Sequence, residues 1–234
     1  MLRQKIRMIG QRGMYALIDW HILDYGSATG DPWQVIDAAR EFFDVVSQEH
    51  RNKAHVLFEI ANEPSPEDVL WIKDGPDNDI KEYAEDIIPI IRANDQAKSV
   101  IIVGTPNWSG HLQAVLDGPL EFENVMYAKH FYAGSHTDIV ATKAYAEIIP
   151  VFISEWGVSD FTGSGGNDYV NADAWLDMAR EMKISWCNWS ISNFGESTGM
   201  ISWFAPEGGP YDDYLSESGE YIKYRITGEG SPPQ

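Results

Sequence analysis

Six short runs of apolar and β-branched residues recur along the chain and constrain its fold more than any other feature. They are MYALIDW (14–20), HVLFEIA (55–61), SVIIVG (99–104), VMYAKHFY (125–132), PVFISEW (150–156) and ISWCNWS (184–190). Each is apolar through most of its length instead of alternating apolar with polar, which is the pattern of a strand covered on both faces. The stretches between them carry helical periodicity. After Asp31 and Pro32, a capping residue and a first-turn proline, the side chains Val35, Ala39, Phe42, Phe43 and Val46 fall on one face. Ile80, Tyr83, Ala84, Ile87, Ile88 and Ile91 form a second stripe, with a kink expected at Pro89. Further helices are predicted over 137–148, 171–183 and 212–225, and a short opening one on Leu2, Ile6 and Ile9. Strands alternating with helices require parallel pairing through crossovers, so the predicted class is α/β.

Length and charge narrow the function. A chain of 234 residues supports one sizeable core, so residues 1–227 are read as one domain and 228–234 as a linker-like tail. DGPDND (74–79) reads as a turn cluster and FTGSGGND (161–168) as a mobile Gly-rich loop. The 36 Asp and Glu against 17 Lys and Arg give a net charge of −19, a poor surface for nucleic acid or anionic membrane. No apolar run is long enough to span a bilayer, and MLRQKIRMIG has no secretion-signal pattern. The single Cys187 excludes a thiolate zinc cluster, and the six His show no paired ligand spacing, so no metal site is expected.

The chemistry sits at the strand ends. Five of the six runs finish in groups unlike their apolar bodies: Asp19-Trp20-His21, Asn62-Glu63-Pro64, His130-Phe131-Tyr132, Glu155-Trp156 and Asn188-Trp189-Ser190. In a βα barrel the C-terminal strand ends share one mouth, so these residues are expected to converge. Two carboxylates, Glu63 and Glu155, on the second and fifth runs suit glycosidic bond cleavage. One carboxyl must be protonated for the leaving oxygen while the other is anionic. On this reading Tyr132 donates a hydrogen bond to the nucleophilic carboxylate, Asn62 holds a sugar hydroxyl and Trp189 forms a stacking floor. Asp19 reads as structural, and Trp20, Trp33, Trp71, Trp175 and Trp186 as packing residues; Trp203 is open between packing and sugar contact.

HVLFEIANEP, VIIVGTPNWSG, VMYAKHFYAGSH, PVFISEWGVSDFTGSGG and ISWCNWSISNFGES together resemble the endo-β-1,4-glucanases (cellulases) of glycoside hydrolase family 5, in its bacterial subgroup. The resemblance runs from about Leu2 to Thr227. It implies a TIM-type (β/α)8 barrel, hydrolysis with retained configuration, a β-glucan substrate, no cofactor and a secreted location. It assigns Glu63 as acid/base and Glu155 as nucleophile, with His21, Asn62, His130, Tyr132 and Trp189 around the cleaved sugar. Trp108 lies on the leaving-group side, and Glu196 is kept in a loop where Asn193-Phe194 stands in place of a sugar-binding Lys. Six units are present, corresponding to units three to eight, so the expected architecture is a barrel truncated at its N-terminus. The Arg that pairs with the nucleophile in relatives has no counterpart on a strand; Arg3, Arg7 and Arg12 are candidate substitutes. Two strands would lack a neighbour, which predicts a homo-oligomer covering the open edges. Alternatives on the same scaffold are hydrolysis of mannan, xylan or mixed-linkage glucan, or a glucan-binding fragment without efficient turnover.

Overall fold

A computed structural model describes residues 2–21, 30–65, 67–73 and 79–229. The turn cluster at 74–78 and the tail from 230 onward lie outside the described residues. All six apolar runs form strands: β1 Ala16–Asp19, β2 Val56–Glu59, β3 Ile101–Val103, β4 Val125–Tyr132, β5 Val151–Gly157 and β6 Trp186–Asn188. They make one six-stranded sheet in sequence order. Pairing is parallel between β1 and β2, β2 and β3, β3 and β4, and β5 and β6. The order follows from the sequence, because each strand is joined to the next by a helical crossover and takes the adjacent place.

The helices are α1 Leu2–Gln11, α2 Ile36–His50, α3 Ile80–Asn94, α4 Pro106–Ser109, α5 Ile139–Ala146, α6 Tyr169–Met182 and α7 Glu217–Thr227. The helix expected from Pro32 opens with a 3-10 turn, Pro32–Val35, whose cap Asp31 accepts from the Trp33 N–H. α2 then buries Ala39, Phe43 and Val46, and also Ser47 and His50. α3 runs unbroken through Pro89, and all six residues of its predicted stripe are fully buried. Each of the four isoleucines in that stripe removes enough apolar surface to contribute about 1.5–3 kcal/mol. Its cap, Asp79, accepts from the Glu82 N–H at 2.7 Å. The stretch 212–225 divides into a 3-10 turn, Tyr211–Tyr214, and α7, whose cap Ser216 accepts from Gly219. α4, whose last three residues have positive φ, and the 3-10 turn Leu112–Asp117 were not legible as helices, since each is too short to repeat an apolar pattern over successive turns.

Contacts divide the chain into two compact units, Met1–Lys129 with Glu147–Phe152, and His130–Ala146 with Ile153–Gln234. In the first, α2 and α3 are tied by Arg40, whose guanidinium donates to both oxygens of Asp86 at 2.9 and 2.6 Å and holds that carboxyl below its usual range. In the second, Phe131 lies between Trp156 and Trp175, stacked at 5.4 and 4.2 Å. Trp71, Trp156 and Trp175 are core residues, and Trp20 and Trp33 pack against Phe42 and Tyr83. Trp186 meets Trp156 edge-on at 5.6 Å. No described helix is long and apolar enough to cross a membrane.

Candidate active site

In the first unit the chain leaves β1 and β2 while still paired. The Trp20 N–H donates to the Glu59 carbonyl at 2.9 Å, and the Asn62 N–H to the Trp20 carbonyl at 3.3 Å. This extension of the ladder fixes His21, Asn62 and Glu63 just beyond the strands. Asp19 does more than the structural task expected of it: its Oδ2 meets the His21 Nδ1 at 2.6 Å, which fixes the imidazole's orientation. The signal was present as D-x-H, because residues two apart on an extended segment share a face. The Asn62 side chain is buried, and its Nδ2 has no hydrogen-bond partner among the described residues.

The backbone around Glu63 is clamped from several directions. Ser109 Oγ donates to the Asn62 carbonyl at 2.6 Å, the Trp108 N–H to the Pro64 carbonyl at 3.1 Å, and the Ser65 N–H to the Gly30 carbonyl at 3.2 Å. Gly104, at the end of β3, lies so close that a Cβ there would sit 2.2 Å from the Ala61 carbonyl oxygen. Asn107, Trp108 and Ser109 are consecutive left-handed residues with φ of 58°, 55° and 54°. Such residues each cost of order 1–2 kcal/mol, offset here by the bonds that Trp108 and Ser109 make to the Asn62–Pro64 segment. The turn leaves the Trp108 ring half exposed.

In the second unit β4 presents His130 and Tyr132 on one face, two residues apart. Tyr132 Oη donates to Glu155 Oε1 at 2.8 Å, and His130 Nε2 meets Ser154 Oγ at 3.0 Å. Strict alternation would send Ser154 and Glu155 to opposite faces. A bulge resolves this, because Ile153 pairs with Trp186 and Trp156 with Asn188, three residues of β5 against two of β6. The extra residue lets two consecutive side chains reach His130 and Tyr132. Ser154 was missed in the sequence because bulges leave no trace in an apolar run. Gly157 makes room for the tyrosine: a Cβ there would lie 2.6 Å from Tyr132 Cε1. Glu155, Tyr132 and His130 are all buried.

Trp189 follows β6, its N–H bonded to the Trp156 carbonyl at 2.7 Å and its carbonyl accepting from Thr198 Oγ1 at 2.7 Å. Glu196 sits on the loop beyond it, facing Gly163. The Gly-rich loop is wound around Asp160, which accepts from the N–H and the hydroxyl of Thr162 and is held below the usual carboxylate range mainly by that hydroxyl. Of the candidate arginines, Arg3 is paired with Glu49 on α2, and Arg12 donates to the Met8 carbonyl at 3.4 Å.

Parallel βα units whose strands end in carboxylates, amides, imidazoles and indoles define a barrel glycosidase. More particularly, residues 2–195 match the cellulase family, glycosyl hydrolase family 5, and the chain belongs to it. It is 40% identical to Endoglucanase A of Evansella cellulosilytica over 225 residues, 94% of this chain and 44% of that protein. The chain spans about half the length of the curated relatives it matches. Among solved structures, Cellulase Cel5C_n is 38% identical with a TM-score of 0.88, over 99% of this chain and 69% of that one. The catalytic domain of the Thermobifida fusca endoglucanase Cel5A, in a variant complexed with cellotetraose, is 37% identical with a TM-score of 0.84, over 96% of this chain and 73% of that one. The fold is therefore that of a TIM-type barrel, represented by six of its βα units.

Proposed function

We propose that this chain hydrolyses internal β-1,4-glucosidic bonds of cellulose or a related β-glucan by double displacement, with Glu155 as nucleophile and Glu63 as acid/base. The buried hydrogen bond from Tyr132 to Glu155 supports this most directly. A phenol donating to a carboxylate oxygen holds that group in one orientation, as a nucleophile aimed at a single carbon requires. Glu155 then attacks the anomeric carbon as the bond to the leaving oxygen breaks, and Glu63 gives its proton to that oxygen. Water, deprotonated by Glu63, attacks the same carbon in the second step and frees Glu155, so configuration is retained. The Asn62 Nδ2 is a buried donor suited to the sugar 2-hydroxyl. Trp189 is the stacking floor, Trp108 a platform for the leaving sugar, and Glu196 a hydroxyl acceptor. Asp19 sets the His21 ring and Ser154 the His130 ring, which line the same sugar.

A polymer cannot enter a cell, so the chain acts outside it. Among the described residues β1 and β6 end the strand order, each with one neighbour, and we infer that a homo-oligomer covers these edges. Light scattering at micromolar concentration checks this, with a mass of one chain as the contrary result. Reducing-sugar release from carboxymethylcellulose, mixed-linkage glucan, mannan and xylan, by the chain and by Glu155→Gln, tests the activity. Fastest release from a β-1,4-glucan, abolished in the variant, is expected. Preference for mannan or xylan would reassign the substrate, and equal rates for chain and variant would remove the enzyme.

A further inference from the structure

The loop after β6 carries groups that bond cleavage does not use. Trp203 is 74% exposed and Phe204 61%, although burying such rings is among the largest single gains a fold can make. Neither ring is on a loose segment. The Ser202 N–H donates to the Tyr214 carbonyl at 2.8 Å, the Ala205 N–H to the Ser202 carbonyl at 2.9 Å, and Ile201 bridges Leu215. The two rings stand perpendicular with centroids 5.7 Å apart, and Phe204 meets Tyr214 edge-on at 6.0 Å. They form a braced aromatic step in water, so Trp203 is not a packing residue.

The same loop lines a cleft of about 420 Å³ that is apolar at Ile201 and Tyr211 and polar at Ser192, Asn193 and Glu207. The Ser192 hydroxyl oxygen is buried without a hydrogen-bond partner among the described residues, a cost that a ligand hydroxyl would remove. Flat apolar faces with a rim of hydroxyls are the chemistry of a pyranose ring, which stacks on the one kind of surface and bonds to the other. A neutral polysaccharide also escapes the repulsion that a net charge of −19 exerts on anionic partners. The surface is continuous with the candidate site: the loop starts at Trp189, and a Cβ on Gly195, beside Glu196, would lie 3.9 Å from the Trp203 Cβ.

We propose that the Trp203–Phe204 step and its adjoining cleft are a second contact for the β-glucan chain, away from the bond cleaved, that strengthens binding of long or insoluble substrate. This inference rests on the glucanase reading above. Its test is adsorption to microcrystalline cellulose in the non-hydrolysing Glu155→Gln background, with and without Trp203→Ala and Phe204→Ala. About tenfold weaker adsorption is expected for the double variant, with Trp203→Tyr keeping most of the affinity. In the active chain the double substitution raises KM for soluble β-glucan by more than it lowers kcat. Adsorption within twofold of the parent overturns the proposal, as does a fall in oligomer mass as the sole change, which would make the step a contact between copies. A chain that adsorbs through these rings yet releases no sugar refutes the glucanase reading and leaves the contact standing. A parent that does not adsorb refutes the contact.

Discussion

Tyr132 and Glu155 illustrate how much rests on single groups. Tyr132→Phe removes a donor from a buried carboxylate, and a charge-assisted bond of this kind is worth about 1.5–3 kcal/mol. The expected result is kcat lower by roughly tenfold to a hundredfold with KM nearly unchanged; steady-state kinetics on β-glucan with both parameters intact would remove the tyrosine from the mechanism. Glu63→Gln separates acid from nucleophile, because proton donation matters less as the leaving group improves. A loss of about 10²–10⁴ on polymer is expected to shrink on aryl glycosides of acidic phenols, and an equal loss on both would contradict the assignment. His50 predicts a pH effect far from the chemistry. It is buried, its Nδ1 faces the Lys53 ammonium at 2.8 Å, and desolvation followed by that charge holds its pKa below the usual 6.5. A depressed folded pKa makes its contribution fully present above about pH 6.5 and lost as pH falls through the folded value. The melting temperature is therefore expected to fall with acidification, and less steeply in His50→Gln; parallel profiles would assign the acid sensitivity to other groups.

Between elements, close approach matters more than hydrogen-bond count. β3 reaches the segment after β2 only because Gly104 lacks a Cβ, and β5 admits the Tyr132 ring only because Gly157 does. Gly104→Ala is expected to destabilise by about 2 kcal/mol or more, since backbone must shift, lowering Tm by roughly 5 °C in calorimetry. Gly157→Ala meets a side chain and a hydroxyl instead, so the expected signature is lost kcat with a smaller fall in Tm. The elements themselves were legible in the sequence: six apolar runs became six strands, and the stripe from Ile80 to Ile91 became α3. Two departures had local causes. α3 continues through Pro89, which sits beyond its first turn yet leaves the helix continuous while its buried stripe stays packed. The left-handed turn Asn107–Ser109 could not be read, because only Asn107 is of a type that favours φ above zero and the conformation of Trp108 and Ser109 is held by bonds to a segment some 45 residues earlier.

For the molecule as a whole, charge sets the response to solvent. A net charge of −19 on 234 residues repels itself in the folded state, and raising salt from about 0.1 to 1 M shortens the screening length from about 10 to 3 Å. Tm is expected to rise by several degrees across that range in NaCl and equally in KCl. A flat or falling Tm in differential scanning fluorimetry would show that the acidic residues are already paired or too widely spaced to interact.

Periodicity and residue type settled the class of fold and the identity of the groups at the strand ends, because parallel βα units need continuous apolar strands, and because Glu, His and Trp at the end of such strands are conspicuous against them. How those groups are aimed was decided by tertiary structure alone. The D-x-H pair could be anticipated from alternation, but the bulge that turns Ser154 and Glu155 to one face adds a residue without altering the apolar pattern. The glycine clearances at 104 and 157, and the exposure of Trp203, depend on what lies opposite in space. That is a property of distances between segments, which a linear sequence does not carry.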